Sequence, residues 1–456
     1  MTPAAPRPQV WAGVESSFLR VRRRVRDQLS ETGHADRAGD LARLVDVGAS
    51  AVRYPVLWGR APGGRPISPT TDWSWAVDRL GRLRALGVEP IVELLHHGFG
   101  PLDADPFDPG WPERFGAYAG MVARRFPWVR RWLPINEPLT TARFAGLYGW
   151  WWPHHAGRET FVRLLLAQIE GWRAAARAIR AVIPGAELLV NEDAGTIGGA
   201  PEVARAVSHD RERRWLTFDL LTGRVRPGHP LWAFLSSVPG AGVALARIAS
   251  DPIVPDVLGL DYYLTSDRWI DHRIDAFPPE SHGGGHGLRY ADIEAVRVGG
   301  GVDIQGWAAA IATAWERYRL PLALTEVQLA GELGDQVAWW REAWEAAVTA
   351  TDRGVPVVAV TAWSVFGSWD WDSVLLGHRR TFEPGCLSPA PRFSRPHPLE
   401  IALRRTVRDG HPGPSPDGWW RRPDRVRYHP QVLWRPDIGA SAAVTDLPSE
   451  LVAAAP

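Results

Sequence analysis

Residues 86–97, LGVEPIVELLHH, carry the pattern on which the fold is decided. The helical periodicity of 74–86 stops at Gly87, a residue suited to the left-handed turn that closes a helix. A short apolar run at 89–97 (EPIVELLHH) follows at once. It is too brief for a helix and reads as a buried strand. The run closes on two histidines, so ionisable groups begin where the strand ends.

The same phrase recurs along the chain. Further strands are predicted at 10–15 (VWAGVE), 50–58 (SAVRYPVLW), 130–137 (RRWLPINE), 186–193 (AELLVNED), 256–264 (DVLGLDYYL), 320–328 (LPLALTEVQ) and 356–366 (PVVAVTAWSVF). Helices are predicted at 36–47, 74–86, 112–126, 159–182, 302–318 and 335–352, and Gly48, Gly185 and Gly354 repeat the closing signal of Gly87. Strands alternating with helices demand a parallel sheet, and eight such units predict an α/β fold, a single-domain (β/α)8 or TIM barrel with long βα loops. The barrel is expected over 1–410, with insertions at 271–288 and 367–395. Residues 411–456 are Pro/Arg/Trp-rich, then Ala/Ser/Pro-rich. They are expected to form an irregular tail, its last 20 or so residues disordered.

Composition narrows the function. The 456 residues hold 52 basic and 51 acidic side chains, a net charge of +1, without the basic excess of a nucleic-acid binder. No run of about 18 apolar residues predicts a membrane span, and MTPAAPRPQVWAG lacks the apolar core of a secretory leader. A soluble, cytoplasmic protein is expected. Cys386 is the single cysteine, which excludes internal disulfides and multi-cysteine metal sites. Every basic residue is arginine, which removes Schiff-base and P-loop lysine chemistry. The 25 tryptophans suit a core, and their faces also suit sugar rings.

In a barrel of this kind, reactive groups lie at the C-terminal strand ends. Those ends carry Glu15; Arg53 and Trp58; Glu93, His96 and His97; Asn136 and Glu137; Asn191, Glu192 and Asp193; Asp261, Tyr262 and Tyr263; Thr325 and Glu326; and Trp363. Neither a phosphate-cradling glycine loop nor an HExxH zinc pattern is present. Glu137 and Glu326, on strands four and seven, face one another across the mouth. Glycoside hydrolysis requires two carboxyls flanking one bond. Pro138 is expected to hold Glu137 extended, as at a strand end.

Taken together, RWLPINEPLTTARFAGLYGWWWP (131–153), GVEPIVELLHH, SAVRYPVLW, DVLGLDYYLTS, ALTEVQL and AWSVFGSWDW resemble glycoside hydrolase family 1 in order and spacing over about residues 10–385. The resemblance implies a retaining β-glycosidase with Glu137 as general acid/base and Glu326 as nucleophile. It further implies that Arg53 lies beside Glu326, that Asn136 holds the sugar 2-hydroxyl, and that Tyr263 positions Glu326. His96 would bind sugar, with Trp363 as the floor beneath it and Trp371 nearby. Departures from the family pattern fall in the shell that reads hydroxyls. Glu15 stands near where a glutamine is usual, Asp261 replaces an asparagine, and Asp370 replaces a glutamate. His97-Gly98 replaces Trp-Asp, and Val327-Gln328 replaces Asn-Gly. These variations resemble bacterial modules fused to a dTDP-4-dehydrorhamnose reductase-like domain, although no GxGxxG fingerprint occurs here.

Glu15, Asp261 and Asp370 are therefore candidate sugar ligands, while Asp370 and Asp372 alternatively solvate a loop. Trp150, Trp151 and Trp152 suit either an aglycone platform or rim packing. Glu93, Glu192 and Asp193 fit a hydrogen-bond network. His97, His154, His155, His282 and His286 are scattered without metal-site spacing, so neither metal nor cofactor is expected. The partner expected is a small carbohydrate, with no nucleic acid and no membrane. Hydrolysis, transglycosylation with the same residues, and a silent carbohydrate-binding or scaffold barrel all remain open.

Overall fold

The computed structural model describes residues 7–60, 72–285, 287–388 and 396–429. Eight strands close into a barrel in which every neighbouring pair is parallel. They are β1 (Gln9–Gly13), β2 (Ala51–Pro55), β3 (Glu89–Glu93), β4 (Arg131–Leu133), β5 (Glu187–Asp193), β6 (Val257–Asp261), β7 (Leu322–Val327) and β8 (Val357–Ala362). Following them in turn are helices α1 (Ala42–Asp46), α2 (Ser74–Ala85), α3 (Trp111–Arg125), α4 (Arg158–Val182), α5 (Ala241–Ser250), α6 (Gly306–Tyr318), α7 (Leu333–Asp352) and α8 (Pro398–Asp409). The order is that of the expected (β/α)8 barrel, and the strands are shorter than the apolar runs because pairing stops where the mouth loops splay.

Strand periodicity builds the barrel from the inside out. Each strand contributes one residue to an inner apolar layer: Trp11, Ala51, Ile91, Leu133, Leu189, Val257, Ala323 and Ala359. Two residues further towards the mouth, the same inward face carries Arg53, Glu93, Asn191 and Thr325. The intervening positions, such as Val52, Val92, Leu188, Leu258 and Val360, face outward into the larger core shared with the helices. A dry plug thus lies directly beneath a polar layer. Two glycines make room at that level: a Cβ on Gly13 would overlap the Trp363 ring, and one on Gly259 would stand 2.5 Å from Thr325 Oγ1.

Several mouth elements were not foreseen. Phe18–Val21 and Arg24–Asp27 form a hairpin after β1, and Ser368–Trp369 pairs with Phe382–Glu383 after β8. Within the 271–288 insertion, His282–Gly285 pairs with Leu288–Glu294, and the sheet continues through Arg268–Asp271 to Ile197–Gly199. Between β5 and β6, helices Ala204–Arg213, Leu216–Leu221 and Trp232–Ser236 precede α5. Residues 36–47 open as 3-10 turns rather than as one helix. After α8 the chain makes two short 3-10 turns, and buried Trp420 donates to Glu342 of α7 (3.0 Å). The expected disorder at the C-terminus lies outside the described residues.

The first and last mouth loops are clasped together. Arg26 donates to Glu31 (2.8 and 2.7 Å), to Asp370 Oδ2 (3.0 Å) and to the carbonyls of Leu375 and Gly377. Asp370 also accepts from the backbone N–H groups of Arg379, Arg380 and Thr381 (2.5, 2.7 and 3.1 Å). Two stability measurements check this account by denaturant unfolding. Gly13→Ala is expected to cost about 1–3 kcal/mol through overpacking against Trp363. Asp370→Ala is expected to cost about 2 kcal/mol or more, because it strips a partner from a buried guanidinium and orphans three N–H groups.

Candidate active site

The site assembles around a guanidinium. Arg53 is the inward residue of β2 one step above the apolar layer, and it is completely buried. Its Nη1 donates to Glu326 Oε1 (2.8 Å) and to the Thr325 carbonyl (3.2 Å). Its Nη2 donates to Asn136 Oδ1 (2.7 Å) and Glu93 Oε1 (3.1 Å). Its guanidinium carbon sits 4.3 Å from the Trp363 ring centroid. One cation therefore fixes side chains from β2, β3, β7 and the β4 and β8 ends.

Glu326, on β7, is also bound through Oε2 by a short hydrogen bond from the Tyr263 hydroxyl. Its carboxyl is raised above the ordinary range by burial, with Arg53, His96 and Tyr263 drawing it back. Glu137 differs in surroundings. Burial raises it well above the ordinary range, and Asp261, Glu326, Glu192 and Asp193 add to that shift. Its conformation corrects the extended geometry expected from Pro138. Glu137 is left-handed (φ 43°, ψ 65°), and Pro138 opens a short helix, Pro138–Ala142. Proline is well placed as a first helical residue, and the strand has already ended at Leu133. Glu192 holds that helix by accepting from Leu139 and Thr140 N–H (2.8 and 3.1 Å) and from the hydroxyls of Thr140 and Thr217.

Asp261 completes a close carboxyl trio. One oxygen each from Glu137, Asp261 and Glu326 lies within 4.8 Å of the others. Asp261 accepts from Thr325 Oγ1 and Asn191 Nδ2, both at 2.6 Å, and shares a hydrogen bond with Glu137. A carboxyl–carboxyl hydrogen bond requires a proton, and burial with the neighbouring Glu326 raises Asp261 well above its ordinary range. Such spacing could also chelate a cation, but Arg53, Tyr263, Thr325 and Asn191 already donate to this trio. A second acidic group, Glu212, Asp219 and His229, has the Arg317 guanidinium seated on Asp219 (2.5 Å).

The remaining candidates fall into two sets. His96 Nδ1 lies 3.0 Å from Glu93, its Nε2 lies 3.7 Å from Glu15, and its ring stacks on Trp363 (5.8 Å, 7°). Burial disfavours its charged form, yet the Glu93 and Glu15 carboxylates outweigh this and raise its pKa. Glu15 spends Oε1 on the Ser17 N–H (2.9 Å) and hydroxyl. Trp371 lies 5.2 Å from His97, and its buried indole N–H has no hydrogen-bond partner. Asp370 belongs elsewhere. It sits beside the mouth, but the four donors of the loop clasp fill both its oxygens, so it has no free site for a sugar hydroxyl.

Trp151 packs at the rim, donating to the Val374 carbonyl (2.9 Å), and Arg20 covers Trp152 at 3.5 Å. His154 and His282 are engaged with backbone groups, and His286 lies outside the described residues. Glu383 was missed from sequence. Burial, then Asp372 and Glu15, push its carboxyl up to about 7, and it accepts from Gln328 (2.9 Å). The pairing of Ser368 with Glu383 brings it here, so no local motif announces it.

No family model matches the chain. Rat Klotho is 30% identical over 147 residues, 29% of this chain and 14% of Klotho. Beta-glucosidase 6 of Oryza sativa subsp. japonica is 30% identical over 110 residues, 23% of this chain and 21% of that protein. The matches thus span less than a quarter of these relatives' lengths. The family 1 β-glucosidase of Thermotoga maritima superposes with a TM-score of 0.62 at 17% identity, covering 81% of this chain and 90% of that one. None of the helices among the described residues is long and apolar enough to cross a membrane. The chain shares its barrel fold with that family 1 β-glucosidase.

Proposed function

We propose that the chain is a retaining β-glycosidase of the family 1 type, acting on a small β-glycoside or oligosaccharide by double displacement. The observation that carries this reading is the approach of Glu137 and Glu326 oxygens to within 4.8 Å of each other, in unlike electrostatic settings. Retention calls for carboxyls about 5–5.5 Å apart, and inversion for roughly 6.5–9.5 Å, to admit water between them.

Glu326, drawn towards ionisation by Arg53 and Tyr263, attacks the anomeric carbon. Glu137, kept neutral by burial and neighbouring acids, gives its proton to the glycosidic oxygen as the bond to the leaving group breaks. Water then attacks the glycosyl ester, returning a proton to Glu137 and releasing Glu326 as the carboxylate. Asn136, His96, Tyr263, Trp363, Trp371 and Glu15 surround the sugar in this reading, while Arg53 and Asp261 act on the two carboxyls. Interception by a second sugar would make the same chemistry transglycosylation. The beta-glucosidase names of the rice relative and the Thermotoga maritima structure support the same class.

A panel of 2,4-dinitrophenyl 2-deoxy-2-fluoro-β-glycosides tests this reading by intact mass. One stoichiometric adduct is expected, mapping to Glu326, and unmodified protein across the panel would defeat it. Glu326→Gly should lose turnover by at least about a thousandfold, with azide restoring it as a glycosyl azide. The pH profile of kcat/KM should be bell-shaped. Activity falls on the acid side as Glu326 gains a proton and on the alkaline side as Glu137 loses one. Because burial raises both groups, both limbs should lie above the ordinary carboxylate range.

A further inference from the structure

Asp261 ends β6 inside the barrel, fully buried, and the double displacement routes no proton through it. Its cradle is nonetheless built. Oδ1 accepts from Thr325 Oγ1 and Oδ2 from Asn191 Nδ2, both at 2.6 Å. Gly259, two residues earlier on the same face of β6, lets these donors close in. A Cβ there would stand 2.5 Å from Thr325 Oγ1 and 2.6 Å from the Asn191 Cβ. On the other side, β7 slips register between Leu324 and Glu326, so both Thr325 and Glu326 reach inwards.

The donors decide which carboxyl of the Glu137–Asp261 hydrogen bond carries the proton. Asn191 Oδ1 accepts the Glu137 backbone N–H (3.4 Å), so the atom it turns to Asp261 is the amide nitrogen. That nitrogen also donates to Asn136 Oδ1 (2.6 Å). Both Asp261 oxygens therefore accept, as a carboxylate's do. No amide, imidazole or hydroxyl donor of the described residues reaches the Glu137 carboxyl, where His97 Nε2 stops at 3.7 Å. The proton thus sits on Glu137 and is given to Asp261. The surrounding charges agree. Asp261, Glu326, Glu192 and Asp193 all oppose ionisation of Glu137, whereas Arg53 and Thr325 draw Asp261 back towards its carboxylate. His97 is kept neutral by burial beside His96 and Arg53, and Tyr263 stays a phenol donating to Glu326.

We propose that Asp261 is a positioning residue for Glu137, its carboxylate holding the acid's proton in place and, once that proton has gone to the leaving group, strengthening Glu137 as the base for water. In the first step the Glu137 O–H bond breaks as the leaving-group O–H bond forms, and two adjacent carboxylates remain. Carboxylates this close favour one shared proton. Glu137 regains it from the incoming water, whose oxygen bonds to the anomeric carbon as the ester bond to Glu326 breaks. The pair then stands as it began, one proton between two carboxyls.

The inference rests on the glycosidase reading, and its test separates the two. Asp261→Asn keeps the shape, with Oδ1 accepting from Asn191 and the new amide donating to Thr325 Oγ1 or Glu137. The charge beside Glu137 is lost, so the alkaline limb of kcat/KM should move down by about one pH unit or more. Asp261→Ser removes the same charge with a smaller side chain and should move the limb the same way. At saturating 2,4-dinitrophenyl β-glycoside, whose departure needs no acid, the glycosyl-enzyme should accumulate in Asp261→Asn and break down about tenfold more slowly. Azide, which attacks without a base, should restore the rate. An unmoved alkaline limb in both variants, or a slow step that azide leaves slow, would reduce Asp261 to packing and overturn the proposal. A further readout needs no turnover. The Glu137 midpoint, followed by carbon-13 NMR of labelled glutamate in Glu326→Gln and identified by its loss in Glu137→Gln, should fall when Asp261→Asn is added. A wild-type chain without turnover that still shows this fall would sink the glycosidase reading alone, and an unchanged midpoint would sink the role of Asp261.

Discussion

Burying the Arg53 charge dictates much of this mouth. A guanidinium wholly removed from water is tolerated only where carboxylates and carbonyls surround it, and breaking such an arrangement is costly. Glu326, Glu93, Asn136 and the Thr325 carbonyl meet that need from separate strands and loops. Because they converge on one planar fork, their relative positions are set by its geometry rather than by the flexible loops above. The apolar layer beneath supplies the complement, a floor of buried apolar side chains that offers the charge no partner from below.

The same cation distinguishes the two glutamates. Glu326 lies against it, whereas Glu137 lies beyond its direct reach among Asp261, Glu192 and Asp193. Two chemically identical side chains are thereby given opposite tendencies, one towards the carboxylate and one towards the acid. Asn136 links the halves. Its oxygen is claimed by Arg53, and its nitrogen reaches His96 and His97 (both 3.3 Å), so the orientation of one amide transmits the demand of the guanidinium to both imidazoles.

Residues such as Arg53, Glu93, Glu137 and Glu326 were legible in the sequence because strand periodicity and the strand-end rule locate them without tertiary knowledge. The barrel was legible for the same reason. Asp370 was not, because its neighbours in sequence, Trp369 and Trp371, do not reveal that Arg26, far away in the chain, fills its oxygens. Glu383 arrives through the register of a two-residue strand pair, which no local pattern encodes. The HGGG strand at 282–285 escaped because glycine pairs through backbone alone, leaving no side-chain alternation to read. At Glu137, a local preference of the residue before proline yielded to the helix that Glu192 anchors from a different strand.

The barrel's seam has a consequence for biosynthesis. β1 pairs on one side with β2 and on the other with β8, and the hairpin that follows β1 is clasped by Arg26 to the loop after β8. During vectorial synthesis the first strand thus emerges with one edge unsatisfied, and its partner arrives some 350 residues later. A ribosome-bound chain that has released only the first six βα units carries Arg53 without Glu326. Until the seventh unit emerges, the nascent mouth holds a cation lacking one of its principal counterions, so the charge centre matures only after the seventh strand has been made.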